Sequence, residues 1–410
     1  MINSEKRGTF MTFIQPHTKA YRKASLALFI SGFVTFATLY TTQPLMPLFS
    51  EEFHISAAAA SLTLSISTAV LAFSLLAAAS LSDGFGRKKL MVLTATSVLG
   101  LLTAFSPAFP ALLAMRALLG IFLAGVPAVA MTYVGEEFDP QGLGKMMGLY
   151  ISGTSIGGMS GRLLTGLLTD VFGWRPALAI IGILSIVLSY LFWRFLPAPR
   201  HSSQRHAGVK AACKEYGAVL HRKRLLLLIS LGFILMGSFV TLYNYIGFHL
   251  MAAPYHLSQT VIGFIFIVYL AGTFSSVYMG KKADLFGSAK MIKIAIFVML
   301  AGAAVTLLPQ LALKIAGIAV FTFGFFGAHS IASAWVGRAA GDQRAQASSL
   351  YLLAYYIGSS VAGSCGGFFW THFHWIGIIS FISVLLLVSY PVLFLAEFRK
   401  KGHSRLHVNQ

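Results

Sequence analysis

Eight polar side chains interrupt long apolar stretches of this 410-residue chain: Tyr40, Gln43, Arg116, Arg162, Tyr243, Asn244, His329 and Tyr355. Their chemistry is recognition. Amides and phenols donate and accept hydrogen bonds, an arginine presents five donors and no acceptor, and histidine changes charge near neutral pH. Tyr40 and Gln43 share a helix face at i and i+3, and Tyr243-Asn244-Tyr245 repeats similar chemistry half a chain later. Two readings fit these groups, hydrogen bonds that join helices and the lining of a polar cavity. His329 is open in the same way, as a structural hydrogen-bonding residue or as a handler of substrate or proton. Ser61, Ser65 and Thr68 make a hydroxyl stripe at helical spacing, which suits close helix packing better than a polar pathway.

None of the 12 Asp and Glu residues falls in the middle of an apolar stretch. Arg116 and Arg162 therefore have no acidic partner at membrane depth, and each needs helix-terminal carbonyls, hydroxyls, water or a bound anion. Counted at 1.5 Å per residue, both lie in the outer half of the bilayer, where two cations on consecutive helices could make an electropositive pocket, the alternative being that they reach the outer interface and Asp170. Such a site favours a small neutral or anionic molecule over a quaternary cation. No cluster has metal-ligand spacing, and Cys213 and Cys365 make no framework. No metal, cofactor, redox chemistry or enzymatic activity is expected.

The elements that must hold these groups are membrane spans. Hydrophobic residues make up 57% of the chain and charged residues 10%, against roughly 25% charge in a soluble domain, and the mean hydropathy is +0.76. Apolar runs of about 20 residues, enough to cross the hydrocarbon, fall near 25–49, 57–79, 90–109, 111–135, 146–169 and 176–196, then 225–250, 261–280, 291–308, 315–336, 348–369 and 376–396. The expected fold is all-α and polytopic, with twelve transmembrane helices in two six-helix halves. Its parts are a lead (1–24), a first bundle (25–196), a linker with a short surface helix (197–224), a second bundle (225–397) and a tail (398–410). The formal charge of +19 is a topology signal, because 27 of the 31 Lys and Arg fall on one side when both termini are placed inside. Basic loops of this kind meet anionic lipid, and nucleic-acid binding is not expected. The run after Lys23 is too long for the core of a cleavable signal.

The two halves are repeats. Ser82-Asp83-Gly84-Phe85-Gly86-Arg87-Lys88-Lys89 returns as Ala283-Asp284-Leu285-Phe286-Gly287-Ser288-Ala289-Lys290, and Val134-Gly135 and Trp174 return as Val336-Gly337 and Trp375, at offsets of 201 or 202. This hairpin resembles the cytoplasmic loop motif of the major facilitator superfamily, with Leu81, Asp83, Gly86, Arg87 and Lys88 matching, Ala79 in place of the first Gly and Gly84 in place of the first Arg. Arg116-Ala-Leu-Leu119-Gly120 resembles the Arg-x-x-Gln-Gly motif, with Leu119 for Gln, which makes Arg116 the stronger substrate candidate of the two arginines. Gly153-Thr154-Ser155-Ile156-Gly157-Gly158 is similar to the Gly-Pro-x-x-Gly-Gly motif of superfamily antiporters, with Thr154 for Pro. The glycines at 153, 157, 158 and 161 are expected to pack helices closely, between the halves.

The resemblance covers the whole chain, and its nearest branch is the drug:proton antiporters. It implies a bacterial inner-membrane transporter, monomeric, with both termini cytoplasmic, that exports a small molecule against protons by alternating access. Asp83, Gly86, Arg87, Lys88, Asp284 and Gly287 would form its gating loops. Import or facilitated passage on the same fold is the alternative, and a receptor or scaffold a distant third.

Overall fold

The structure, a computed structural model, describes residues 13–15, 17–95, 98–139, 143–199 and 209–406. Twelve helical spans are present among them, and proline lies at the breaks within the first and fourth. The first span is α1 (Lys19–Tyr40) followed by the short α2 (Met46–Glu52), interrupted around Pro44 and Pro47. The second is α3 (Ala57–Phe85) and the third α4 (Arg87–Ala95), α5 (Leu99–Leu102) and one turn of 3-10 helix. The fourth is split into α6 (Phe109–Leu123) and α7 (Gly125–Glu137). Pro127 accounts for that split, since its ring excludes the carbonyl of residue 123 and it donates no hydrogen bond. Then come α8 (Leu143–Phe172) and α9 (Trp174–Phe195).

The linker carries α10 (Val209–Leu220). The second half follows with α11 (Lys223–Met251), α12 (Gln259–Ile265) with α13 (Tyr269–Phe286), α14 (Ser288–Val305), α15 (Leu311–Ala340) and α16 (Arg344–Leu406). The last is two spans divided at His374, whose φ is 51°. Eight helical stretches are long and apolar enough by themselves to cross a membrane, and one of them, Leu311–Phe398, holds parts of three spans.

The backbone itself repeats. Left-handed φ values occur at Gly86 and Gly287 (84° and 88°), at His54 and His256 (51° and 48°), and at Gly173 and His374 (81° and 51°). Each pair is 201 or 202 residues apart, so equivalent turns join equivalent helices. Glycine suits Gly86 and Gly287 because this conformation costs other residues energy.

Helix packing corrects one expectation. Gly153, Gly157 and Gly161 lie at four-residue spacing on α8 and face Phe29, Phe33 and Ala37, at the same spacing on α1. A Cβ at these glycines would lie 2.4, 2.2 and 2.4 Å from the three carbonyl oxygens. The contact is thus within the first half. The second half repeats it, with Gly358 on the Phe233 carbonyl (2.3 Å for an added Cβ) and Gly237 against Ala362. Other glycines join the halves, at the end expected to face outward. An added Cβ at Gly166 would meet the Gln259 carbonyl at 2.3 Å, and one at Gly367 the Ala58 Cβ at 2.2 Å. These two contacts are repeat-equivalent.

Gly157→Ala should therefore destabilise the folded protein by about 1–3 kcal/mol, the usual cost of overpacking. Gly148, with nothing within 4 Å of an added Cβ, should accept Ala without loss. Melting temperatures of the two purified variants in detergent decide it, and equal values would remove the argument for the α1–α8 groove.

Candidate substrate site between the two halves

The break after Tyr40 leaves carbonyls of the last turn of α1 without helical partners. Arg116 meets them. Its Nη1 donates to Thr38 O at 3.2 Å, its Nη2 to Leu39 O, and its Nε to Thr63 O of α3 at 2.8 Å. Ser67 Oγ donates to the Arg116 carbonyl at 2.8 Å, tying α3 to α6. At 1% exposure Arg116 is buried inside the first half. Its place as the stronger substrate contact, and its sharing of one pocket with Arg162, are corrected on this geometry, because its donors are taken up by backbone oxygens.

Arg162 lies on the other side of the α1 end, at the junction of the halves. Its Nε donates to Gln43 Oε1 at 2.6 Å and its Nη1 to Gly158 O at 2.7 Å. Gly158, unlike the other three glycines, serves the arginine: an added Cβ would sit 3.3 Å from Nη1. The guanidinium carbon lies 3.8 Å from the ring centre of Tyr40 and 4.8 and 5.0 Å from those of Phe266 and Tyr269 in the second half, within range of cation–π attraction. Among the described residues it has no carboxylate partner.

Gln43 passes the contact across. Its Nε2 donates to Asn244 Oδ1 at 2.8 Å, and the two residues are 201 apart. Residues related by a two-fold axis touch each other only on that axis, so this bond marks the pseudo-two-fold between the halves. Because arginine only donates, both amide orientations follow: Gln43 must turn its oxygen to Arg162, and Asn244 must turn its oxygen to Gln43. The series ends in a buried donor, Asn244 Nδ2, that has no partner. Beside it are Gly363 and, near that glycine, Ser65 Oγ, also buried and unpartnered.

An aromatic wall runs from this point into the second half. Tyr243 stacks on Phe266 (5.1 Å), bonds Thr322 Oγ1 at 2.7 Å, and lies against Phe239, which stacks on Phe325 at 3.8 Å. Phe325 in turn lies parallel to His329 at 5.8 Å. The imidazole Nδ1 pairs with Tyr351 OH at 2.9 Å, and its ring is 4.7 Å from that of Tyr355. Tyr40, Gln43, Arg162, Tyr243, Asn244, His329 and Tyr355 thus belong to one connected set of side-chain contacts, and Arg116 does not.

The end contacts differ from one another. The Asp83 side chain lies outside the described residues. Arg87 pairs with Glu136 at 2.7 Å, Lys88 reaches the Leu196 carbonyl, and Asp284 is exposed. At the opposite end Asp170 of α8 accepts from the backbone N–H groups of Gln259 (3.1 Å) and Thr260 (2.7 Å), capping α12 across the interface. Nearby Glu52 accepts from Trp174 and from Arg175. Burial alone would raise the Glu52 carboxyl, but these donors outweigh it and hold it below the usual carboxylate value. That clamp is present at neutral pH and is lost as the pH falls through the lowered carboxyl value.

Sequence reasoning missed Phe266 and Tyr269, which read as ordinary apolar span residues, and the capping role of Asp170. The signal for Asp170 was its place at a span end, facing a Ser-Gln-Thr helix start. The assignment of Arg116 is tested by substitution. Arg116→Gln and Arg116→Lys should both lower folded yield and melting temperature, since neither can donate to Thr38, Leu39 and Thr63 together, with a loss of about 1–3 kcal/mol for the Leu39 carbonyl left unpaired. Wild-type stability in both would sink the capping role.

Comparison with known proteins agrees with this architecture. The model of the Major Facilitator Superfamily matches residues 28–363 and 248–408. The chain is 47% identical over 381 residues to the MFS-type transporter YybF of Bacillus subtilis (strain 168), covering 92% of this chain and 94% of that one. It is 45% identical over 397 residues to the inner membrane transport protein YnfM of Escherichia coli (strain K12), with 96% and 94% covered. Among solved structures, a bacterial homologue of the human lysosomal transporter Spinster, inward-facing and occupied, superposes with a TM-score of 0.74 at 16% identity over 93% of this chain and 97% of that one. The xylose transporter XylE of E. coli gives 0.70 at 14%, over 93% and 98%. The chain belongs to the major facilitator superfamily and is a membrane transport protein.

Proposed function

We propose that the protein exports a small neutral or anionic molecule in exchange for protons, by alternating access, as a monomer in the bacterial inner membrane with both termini cytoplasmic. The moving units are the bundles 25–196 and 225–397, with the segment 197–224 as their tether and 1–24 and 398–410 as cytoplasmic extensions. One observation carries the reading: the Arg162–Gln43–Asn244 series lies on the axis about which the halves must rock, and it ends in an unpaired donor. A ligand with an acceptor oxygen would bond Asn244 Nδ2 and be drawn to Arg162, while the aromatic wall would take its apolar part. A cation finds no carboxylate there. The direction and the proton rest on the antiporter-like glycine stretch and on His329.

The test is transport into inside-out vesicles, with and without an uncoupler, of matched anionic and neutral candidates. Uncoupler-sensitive uptake is expected, with Arg162→Gln losing the anion by at least about tenfold and the neutral compound less, as befits a charge-assisted bond. Equal loss of both would point to gating. His329→Gln should alter the pH profile of transport if the imidazole handles the proton, and an unchanged profile would assign His329 to structure.

The contacts of Asp170, Gly166 and Gly367 all lie at one end, which supports a state closed toward the outside. Asp170→Ala should favour opening by about 1 kcal/mol, the worth of a helix cap, or about fivefold in the ratio of states. Spin labels at positions 171 and 261 would report a larger long-distance fraction. An unaltered distance distribution in that variant would deny Asp170 a role in closure.

A further inference from the structure

The two halves differ most in charge at the end expected to be cytoplasmic. In the first half, Arg87 at the start of α4 pairs with Glu136 near the end of α7. The repeat carries Arg87 onto Ser288 and Glu136 onto Arg338, and these also touch, Arg338 Nη2 donating to Ser288 Oγ at 2.9 Å. The contact is kept but its carboxylate is gone. Lys23 and Lys89 map onto Arg224 and Lys290. The second half therefore keeps two of these cations, has a serine in place of Arg87, and carries a cation where the acid stood.

These residues surround a cavity of about 490 Å³, lined by Arg224, Ser288, Lys290, Trp335, Arg338 and Glu397 among others. Glu397 is the carboxylate of the lining, and it is already paired with Lys293 at 2.7 Å. Arg224 turns a buried Nε toward no partner. The first turn of α14, an 18-residue helix, forms one wall, and its N–H groups have no intrahelical acceptor. The cavity thus carries three cations and a helix N-terminus against one spoken-for acid, which is the composition of a phosphate site.

Its position selects the source of the phosphate. Arg224, Lys290 and Arg338 lie at the ends of α11, α14 and α15, where spans enter the membrane. Phe286 at the cavity and Phe297 and Phe394 one turn deeper than the Lys293–Glu397 pair are exposed. We propose that this cavity holds the headgroup phosphate of an anionic phospholipid, with acyl chains along the outward faces of α14 and α16. Its location at the bilayer surface rests on the topology proposed above.

The test uses the full chain in detergent, stripped of co-purifying lipid and titrated with cardiolipin, phosphatidylglycerol, phosphatidylcholine or inorganic phosphate. Melting temperature and native mass spectrometry are the readouts. Cardiolipin and phosphatidylglycerol should raise the melting temperature and stay bound, and phosphatidylcholine should do neither. The double variant Arg224→Gln, Arg338→Gln should bind them about thirtyfold more weakly, as expected for two surface cations, whereas Arg338→Lys should retain most of the affinity and Lys281→Gln, outside the cavity, all of it. Stabilisation by phosphatidylcholine equal to that by the anionic lipids would overturn the proposal. So would equal stabilisation by inorganic phosphate, which would make this a soluble-anion site, or unchanged lipid binding in the double variant. Should that variant not fold, the wild-type protein still decides, since binding that survives molar salt is not electrostatic.

Discussion

A helix that stops inside hydrocarbon must hand its last carbonyls to some other donor, because no water is there to take them. Within the first span α1 stops at Tyr40, before α2 begins, and much of the site depends on how that end is closed. Thr38 O also accepts from Thr41 Oγ1 at 3.1 Å, but leaving the Leu39 carbonyl bare would cost about 1–3 kcal/mol, which sets the value of a buried arginine at that place. Arg116 supplies donors to Thr38, Leu39 and Thr63, so its charge is met by the negative end of the α1 dipole without any acid. With α1 closed this way, the residues after the break are released from helical geometry, and Gln43 can reach over the interface to Asn244.

The second constraint is the repeat. Equivalent helices meet through equivalent small residues in both halves, α1 on α8 and α11 on the first part of α16, while Gly166 and Gly367 make the cross-contacts. Small residues matter more here than in a soluble core, since lipid tails offer no hydrophobic drive between helices and close packing must supply it. Gly153, Gly157 and Gly161 of α8 are thus the seat of that helix on α1.

The spans, their number and the duplication were legible in the sequence because each rests on a period or a composition that tertiary contacts do not alter. Partner choice was not. Arg116 and Arg162 look alike in sequence, at one depth on neighbouring spans, and only the rotation of α6 and α8 about their axes separates a backbone cap from an interface cation. The same rotation sends the glycines of α8 toward α1 and not toward the other half. Phe266 and Tyr269 were hidden for a related reason, since an aromatic in an apolar run carries no mark of the cation above it. Gln43 and Asn244 stood at equivalent positions in plain view, but their contact needed the axis to pass between them.

Divergence between the copies at equivalent positions then locates what the duplication was used for. Gln43 and Asn244 are equivalent amides, and the position that faces each of them is also equivalent: Arg162 in the first half and Gly363 in the second. In the first half the amide oxygen is engaged by a guanidinium. In the second, the glycine leaves Asn244 Nδ2 without a partner, and an arginine there would have set donor against donor. The bond on the axis turns Asn244 so that its Nδ2 faces position 363, and a second arginine there would meet a donor. The asymmetry gives the series a direction, from a fixed cation to an open donor, and a ligand bound at its end would stabilise whichever arrangement of the halves keeps the series intact. A substrate able to accept at Asn244 would in this way be coupled to the conformational state through three side chains, with no change required elsewhere in either bundle.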